Sequence, residues 1–283
     1  MSHTHERLNE LASHYLGALA ANDLSQMPVT PDVRYTENGQ TLALGKGLWA
    51  TATGTVTYTL HMADPATDQA ALFAVMEENN TPAILATRIK ARDDAICEIE
   101  SLVARWGNPL YEPDNLHVPR EELVADVLET ERTPRDRLIE IAELYFDAIE
   151  QDNGDIVPVD SGCNRLENGV QTTNNPERDG VGRMSVKEGL SSGFYQYITE
   201  IRDRRYPVVD EQKGIVLAIV FFEHPGNVKE VNVPGEGVIP MRPFTQKPSS
   251  AMIAEAFKIR DGSIRQIEAI VEFLPYGSRS GWQ

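Results

Sequence analysis

Leu11–Gly39 reads LASHYLGALAANDLSQMPVTPDVRYTENG, and Ile141–Gly169 reads IAELYFDAIEQDNGDIVPVDSGCNRLENG. The two stretches align without a gap at an offset of 130: Ala12, Tyr15, Ala18, Pro28, Val29, Glu37, Asn38 and Gly39 recur as Ala142, Tyr145, Ala148, Pro158, Val159, Glu167, Asn168 and Gly169. A second match, near the end of each half, runs at an offset of 168. There Lys90, Arg92, Asp93, Ile96, Ile99, Glu100 and Val103 recur as Lys258, Arg260, Asp261, Ile264, Ile267, Glu268 and Val271. A period of this length is too long for a solenoid and describes two copies of one domain. The offsets differ, so the second copy carries about 38 extra residues in its middle. One copy of ordinary size beside one enlarged copy points to a scaffold and a working unit.

Working outward, Glu6–Ala21 places Leu8, Leu11, Ala12, Tyr15, Leu16 and Leu19 at the three-and-four spacing of an amphipathic helix. Strands are expected at Val33–Thr36, Thr53–Leu60, Ala70–Met76, Ala83–Ala91 and Ala95–Ala104, with a turn at Asn38-Gly39. The first domain is read as residues 1–106 and the second, enlarged one as 134–283, joined by a linker over 107–133 with a short helix at Arg120–Glu129. The second copy repeats the plan: a helix at Pro134–Glu150, strands at Cys163–Asn168 and Val170–Thr173, then long strands at Ile198–Val208, Ile215–Glu223, Ala251–Arg260 and Ser263–Phe273. Between them Val186–Tyr197 is expected to hold a helix. His224–Ser250, with five prolines and three glycines, reads as a long functional loop.

The 283 residues, 41% hydrophobic, fit two domains with cores of their own. Lys and Arg number 26 against 43 Asp and Glu, a formal charge of −17, which argues against nucleic acid or an anionic membrane as partner. No apolar run approaches the ~20 residues of a membrane span, and the N-terminus does not read as a secretory signal. Cys97 and Cys163 have neither metal nor redox spacing, so a reducing, cytoplasmic setting without a disulfide is expected. No histidine pair has metal spacing, and no metal or organic cofactor is expected.

A helical start, a short strand and a long antiparallel meander in each copy, ending in FKIRDGSIRQIEAIVEFLPYG (residues 257–277), resembles the nuclear-transport-factor-2-like superfamily and its polyketide-cyclase-type (SnoaL-like) branch. The resemblance implies an α+β fold: two tandem cone-shaped barrels, each a bent, mostly antiparallel sheet wrapped around N-terminal helices. It further implies a pocket for a small hydrophobic molecule at the open end. Members work mostly without cofactors as isomerases, dehydratases, epoxide hydrolases, cyclases or formaldehyde-releasing lyases, while others only bind partners. Paired copies of this type imply an internal pseudo-dimer or a homo-oligomer through sheet faces.

Site candidates concentrate in the second copy. Strict alternation along Ile198–Val208 puts Arg202, Arg204 and Tyr206 on one face, with Asp203 and Arg205 on the other. The neighbouring apolar strand, which includes Phe222, delivers His224 to the sheet end as a general base or acid. The expected catalytic set is therefore His224, Arg204, Arg202, Tyr206 and Tyr197. Arg165, Glu167, Asp203 and Phe222 are expected around the substrate. The same arginines would equally form a surface ion-pair ladder. In the first copy Tyr35, Tyr58 and His61 are weaker candidates, because that interior lacks the enlarged loops and can be filled by its own side chains. Gly189–Gly193 matches a nucleophile-elbow string, but its polar lead-in argues against the buried strand that mechanism needs. The leading expectation is a cofactor-independent lyase, dehydratase or isomerase acting on an oxygenated, aromatic or polyketide-like molecule. Its narrowest form releases formaldehyde from a lignin-derived diarylpropane diol. The alternatives are a non-catalytic binding or assembly protein and an epoxide hydrolase using Glu167 or Asp203.

Overall fold

The computed structural model describes residues 3–282. The first copy contains α1 (His5–Ala21), β1 (Val29–Glu37), β2 (Gln40–Leu42), α2 (Leu48–Thr51), β3 (Ala52–Asp64), β4 (Gln69–Glu78), β5 (Thr81–Arg92) and β6 (Ala95–Ala104). A connection holding α3 (Glu121–Val124) leads to the second copy. This contains α4 (Arg135–Glu150), β7 (Val159–Glu167), β8 (Val170–Gln171), α5 (Val186–Leu190), β9 (Glu200–Asp210), β10 (Ile215–His224), β11 (Glu230–Val233), β12 (Gly237–Pro240), β13 (Ser249–Arg260) and β14 (Ser263–Pro275). The element order in both copies is the one implied by the resemblance to the nuclear-transport-factor-2-like superfamily.

The two sheets have the same topology. The orders are β2-β1-β6-β5-β4-β3 and β8-β7-β14-β13-β10-β9, antiparallel except for the parallel pairs β1/β6 and β7/β14. Neither order returns on itself, so each sheet is an open cone rather than a closed barrel. Asn38 and Asn168, both at positive φ, make the expected turns and also clamp them. The Asn168 amide donates to the carbonyls of Leu110 and Val271 and accepts from the Val271 N–H. The expected helix at 120–129 shrinks to the single turn of α3, because the backbone turns extended at Ala125 and the Val127 N–H donates to the Gln212 carbonyl. The long loop expected over 224–250 contains the β11/β12 hairpin.

Each sheet curls around its own helix, and the two sheets press their outer faces together. That shared layer joins Tyr58, Leu60, Met62, Phe73 and Val75 of the first copy to Leu217, Ile219, Phe221, Met252 and Ile270 of the second. The chain is thus an internal pseudo-dimer, and the faces through which subunits were expected to associate cover each other. The pseudo-twofold is visible atom by atom. Asp64 accepts from the Val209 N–H (3.0 Å) and from both terminal nitrogens of Arg135 (2.8 and 2.7 Å). Asp210 accepts from the Ala63 N–H (3.0 Å) and lies 2.9 Å from His5 Nε2.

The extra length of the second copy falls in two insertions. Residues 172–199 stand where the first copy has 43–51, and residues 225–248 where it has 79–80. Both insertions pack on each other: Val231, Val233 and Met241 of the second meet Met184, Phe194 and Tyr197 of the first.

Removing one buried carboxylate from the pseudo-twofold strands the cation and the N–H it serves. Asp64→Ala is expected to lower unfolding free energy by about 3 kcal/mol, read from urea denaturation. A change within experimental error would show that the reciprocal pairs do not hold the sheets together.

Candidate active-site cavity

The inner faces of the two sheets differ in what fills them. In the first copy Tyr15 and Trp49 meet edge to face, with ring centroids 5.6 Å apart, and Tyr35 joins them at 2% exposure. Across the open end, Arg105 bridges Glu37 (2.9 Å) and Glu78 (2.6 Å). Tyr35 donates to Glu37 (2.7 Å), Tyr58 turns to the sheet interface and donates to Glu268 (2.5 Å), and His61 contacts Ser13 (3.1 Å). These three candidates are not brought together.

The second copy replaces that plug position by position. By the repeat offsets and strand registers, Tyr35 becomes Arg165, Glu78 becomes His224, Thr87 becomes Glu255 and Arg105 becomes Phe273. Trp49 is replaced by the first insertion. The result is a cavity of about 420 Å³ whose walls include Ile149, Phe194, Phe222, Ile253, Val271 and Phe273. That size lies within the range of small-molecule sites.

Arg165 is fixed at its base. It donates through Nη1 to Tyr145 (2.7 Å), through Nη2 to Tyr195 (2.7 Å) and through Nε to Thr172 (3.0 Å), and it lies 3.5 Å from Glu167. Burial raises the Tyr145 hydroxyl well above its usual value. Glu255, on the inward face of β13 and 3% exposed, has its carboxyl pushed up to about 8, first by burial and also by Glu167, against the pull of Arg165. It is therefore mostly a neutral acid at pH 7. This residue was not among the sequence candidates. Its signal was present: an acid on the inward face of an otherwise apolar strand, where the first copy has threonine.

His224 stands at the mouth, 4% exposed, with neither ring nitrogen hydrogen-bonded. Its ring lies 5.2 Å from that of Tyr197 and 6.0 Å from that of Phe273. Burial lowers its pKa to about 4, so the imidazole is neutral and carries one donor and one acceptor. A buried polar group without a partner costs stability and calls for an explanation, of which a ligand is one. Burial also raises Tyr197. It pushes the Cys163 thiol, beneath the cavity, to about 12, which leaves it inert.

Of the expected residues, the structure gathers His224, Tyr197, Arg165, Glu167 and Phe222 around one cavity and leaves Arg202, Asp203, Arg204 and Tyr206 outside it. The expected alternation fails because Asp203 sits at φ 55° in a bulge: Arg202 pairs with Phe221 but Arg205 with Ile219. Arg202 turns outward to Glu223 and Asp203. Arg204 is held by Glu143, Asp147 and Glu150 of α4, and Tyr206 donates to Glu143. Gly189–Gly193 ends a short helix, with Ser191 accepting from the Gly154 N–H, and is no nucleophile elbow. Among the described residues no group of three or more His, Cys, Asp or Glu is placed to hold a metal ion, and no helix is long and apolar enough to cross a membrane.

Residues 131–271 match a protein-family profile described as a domain of unknown function, DUF8021. No curated protein matches the chain. A Bacillus subtilis structure described as "Putative Isomerase" is 11% identical, with a TM-score of 0.33, covering 48% of this chain and 87% of that one. A "Putative SnoaL-like polyketide cyclase" from Jannaschia sp. CCS1 is 11% identical, with a TM-score of 0.27, covering 52% and 91%.

The two shifted groups act on stability in opposite directions. His224 refuses a proton in the folded state, so stability falls as pH drops from 6.5 towards about 4. Glu255 keeps its proton in the folded state, so stability falls as pH rises from 4.5 through about 8. Urea unfolding is expected to show a flatter acid limb for His224→Phe and a flatter alkaline limb for Glu255→Gln. Limbs unchanged from those of the parent would mean that neither group is buried as described.

Proposed function

We propose that the second copy is a cofactor-independent enzyme that moves a proton on a small, hydrophobic, oxygenated molecule, in the class of isomerases, dehydratases and lyases. The observation that carries this reading is His224, a neutral imidazole with both nitrogens free, facing an apolar cavity whose far end holds Arg165 and a protonated Glu255. His224 takes the proton. Arg165 and Glu255 donate to the substrate oxygen on which negative charge develops, a role that preorganised donors perform well in a water-poor site. Tyr197 and Tyr195, between the two ends, orient the substrate. The anion-holding role expected of Arg204 and Arg202 passes to Arg165, because Arg165 lines the cavity and those two do not.

The narrowest form of this reading is formaldehyde release from a diarylpropane diol, with a phenolic oxygen held at the base. An epoxide hydrolase would draw on Glu167 or Glu255, since Asp203 is engaged with Arg202 outside the cavity.

Purified protein incubated with aromatic diols, diarylpropanes and polyketide-like ketones, read by mass spectrometry, tests the proposal. Turnover without added cofactor is expected, reduced about a hundredfold or more by His224→Ala or Arg165→Met and unaffected by Arg204→Ala. Its rate should be flat between about pH 4, where His224 takes a proton, and about pH 8, where Glu255 loses one. Binding without turnover across the panel would make the protein a binding module instead.

A further inference from the structure

Strand register sets a length scale inside the cavity. The inward residues of β13 run Ser249, Ala251, Ile253 and Glu255, and His224 pairs with Ser249. Glu255 therefore lies six residues from the His224 row, about 20 Å along the strand at roughly 3.3 Å per residue. Ala269 and Glu167 share the Glu255 row, and Arg165 stands one row deeper, beside Ile267. Between the ends the rows are apolar: Phe222, Ala251 and Phe273, then Ile253 and Val271. The facing wall spans the same interval. It runs from Arg165 to the Tyr195 hydroxyl, from that ring to Tyr197 (6.4 Å) and from Tyr197 to His224 (5.2 Å).

The base is polar but electrically quiet. At the base Arg165 is balanced by Glu167, 3.5 Å away, while burial keeps Glu255 neutral. At the mouth the imidazole is neutral, while the wider lining also carries Arg178, Asp179, Glu236 and Arg242. A charge brought into the base would find no counter-charge left over and would bear its full desolvation cost.

We infer that the cavity takes an elongated ligand about two aromatic rings long and uncharged at its buried end, with one oxygen function held by Arg165 and Glu255 at the base and a second held by His224 and Tyr197 at the mouth. This deepens the reading above and rests on the second copy's cavity being the site. A single ring reaches one end only. Two rings joined by a short link reach both, with their apolar bodies against Phe222, Ile253 and Val271.

Calorimetric binding of three probes tests it: 4,4′-dihydroxychalcone, the one-ring 4-hydroxyacetophenone, and the chalcone with both hydroxyls replaced by carboxylates, so that either orientation puts a charge in the base. The neutral two-ring probe is expected to bind at least about tenfold tighter than either of the others. His224→Phe and Glu255→Leu should each weaken it about tenfold, and Glu255→Gln, whose amide still donates, should restore binding. No more than one of these substitutions should affect the one-ring probe. Circular dichroism confirms that each variant is folded. Failure of the two-ring probe to bind, equal affinity for one and two rings, or preference for the carboxylate would overturn the inference. Tight, two-ended binding of compounds that are never turned over would remove the catalytic reading and keep the ligand class. Turnover confined to one-ring compounds would do the reverse.

Discussion

The structure depends on burial of one sheet face against the other. A single six-stranded cone with an apolar outer face would expose a broad patch to water, and the duplication removes both patches at once. The seam is not purely apolar. Asp64 and Asp210 reach across it in mirrored fashion to backbone N–H groups of the opposite copy, and the Glu100 carboxylate holds Arg88 of its own sheet and Arg205 of the other. Such groups are expensive to bury unless paired, so they fix the register of the two sheets as well as their contact. Trp282 closes one edge of the seam, lying against the guanidinium groups of Arg34 and Arg88 and donating to Thr36.

With the outer faces committed to each other, only the inner faces are free to differ. In the first copy Trp49 and the Glu37–Arg105–Glu78 bridge complete the interior, and every polar group in that bridge has a partner. In the second copy the tryptophan is gone, the arginine is a phenylalanine, and the glutamate is a histidine left without a hydrogen bond. Two insertions roof the space with Phe194, Tyr197, Met241 and Phe244 instead of filling it. One copy thus serves as a rigid back for the other, and the cavity is set on strands whose outer face is immobilised by packing.

Much of this was legible in the sequence because it is local or repeated. The helices at Leu11 and Ile141 follow from apolar spacing, the Asn-Gly turns from turn chemistry, and the two-copy plan from the constant offsets. Arg165 and Glu167 both line the cavity because β7 keeps an unbroken register with β14 from Asn164 to Glu167. Arg202 was misplaced because strict alternation assumes an unbroken ladder, and the bulge at Asp203 turns it to the face opposite Arg204 and Tyr206, which both point to α4. Arg204 and Tyr206 stay out of the cavity because acids of α4 hold them, a long-range pairing that no spacing within the strand announces. Glu255 was passed over for a related reason. Its environment is made by β7, β14 and α4 together, and only its counterpart Thr87 in the other copy marks it out.

The account stands or falls on the second copy's cavity being the place where small molecules are held and changed. The most direct test is to fill it from its floor. Ile253 lies between Glu255 and the His224 row, nearer Glu255, and an indole at that position occupies the empty volume instead of displacing packed neighbours. For a ligand or substrate of the parent protein, Ile253→Trp should abolish binding and turnover while the unfolding transition stays within a few degrees of the parent. A folded Ile253→Trp protein that still binds and turns over the same molecule would place the function elsewhere and contradict the account.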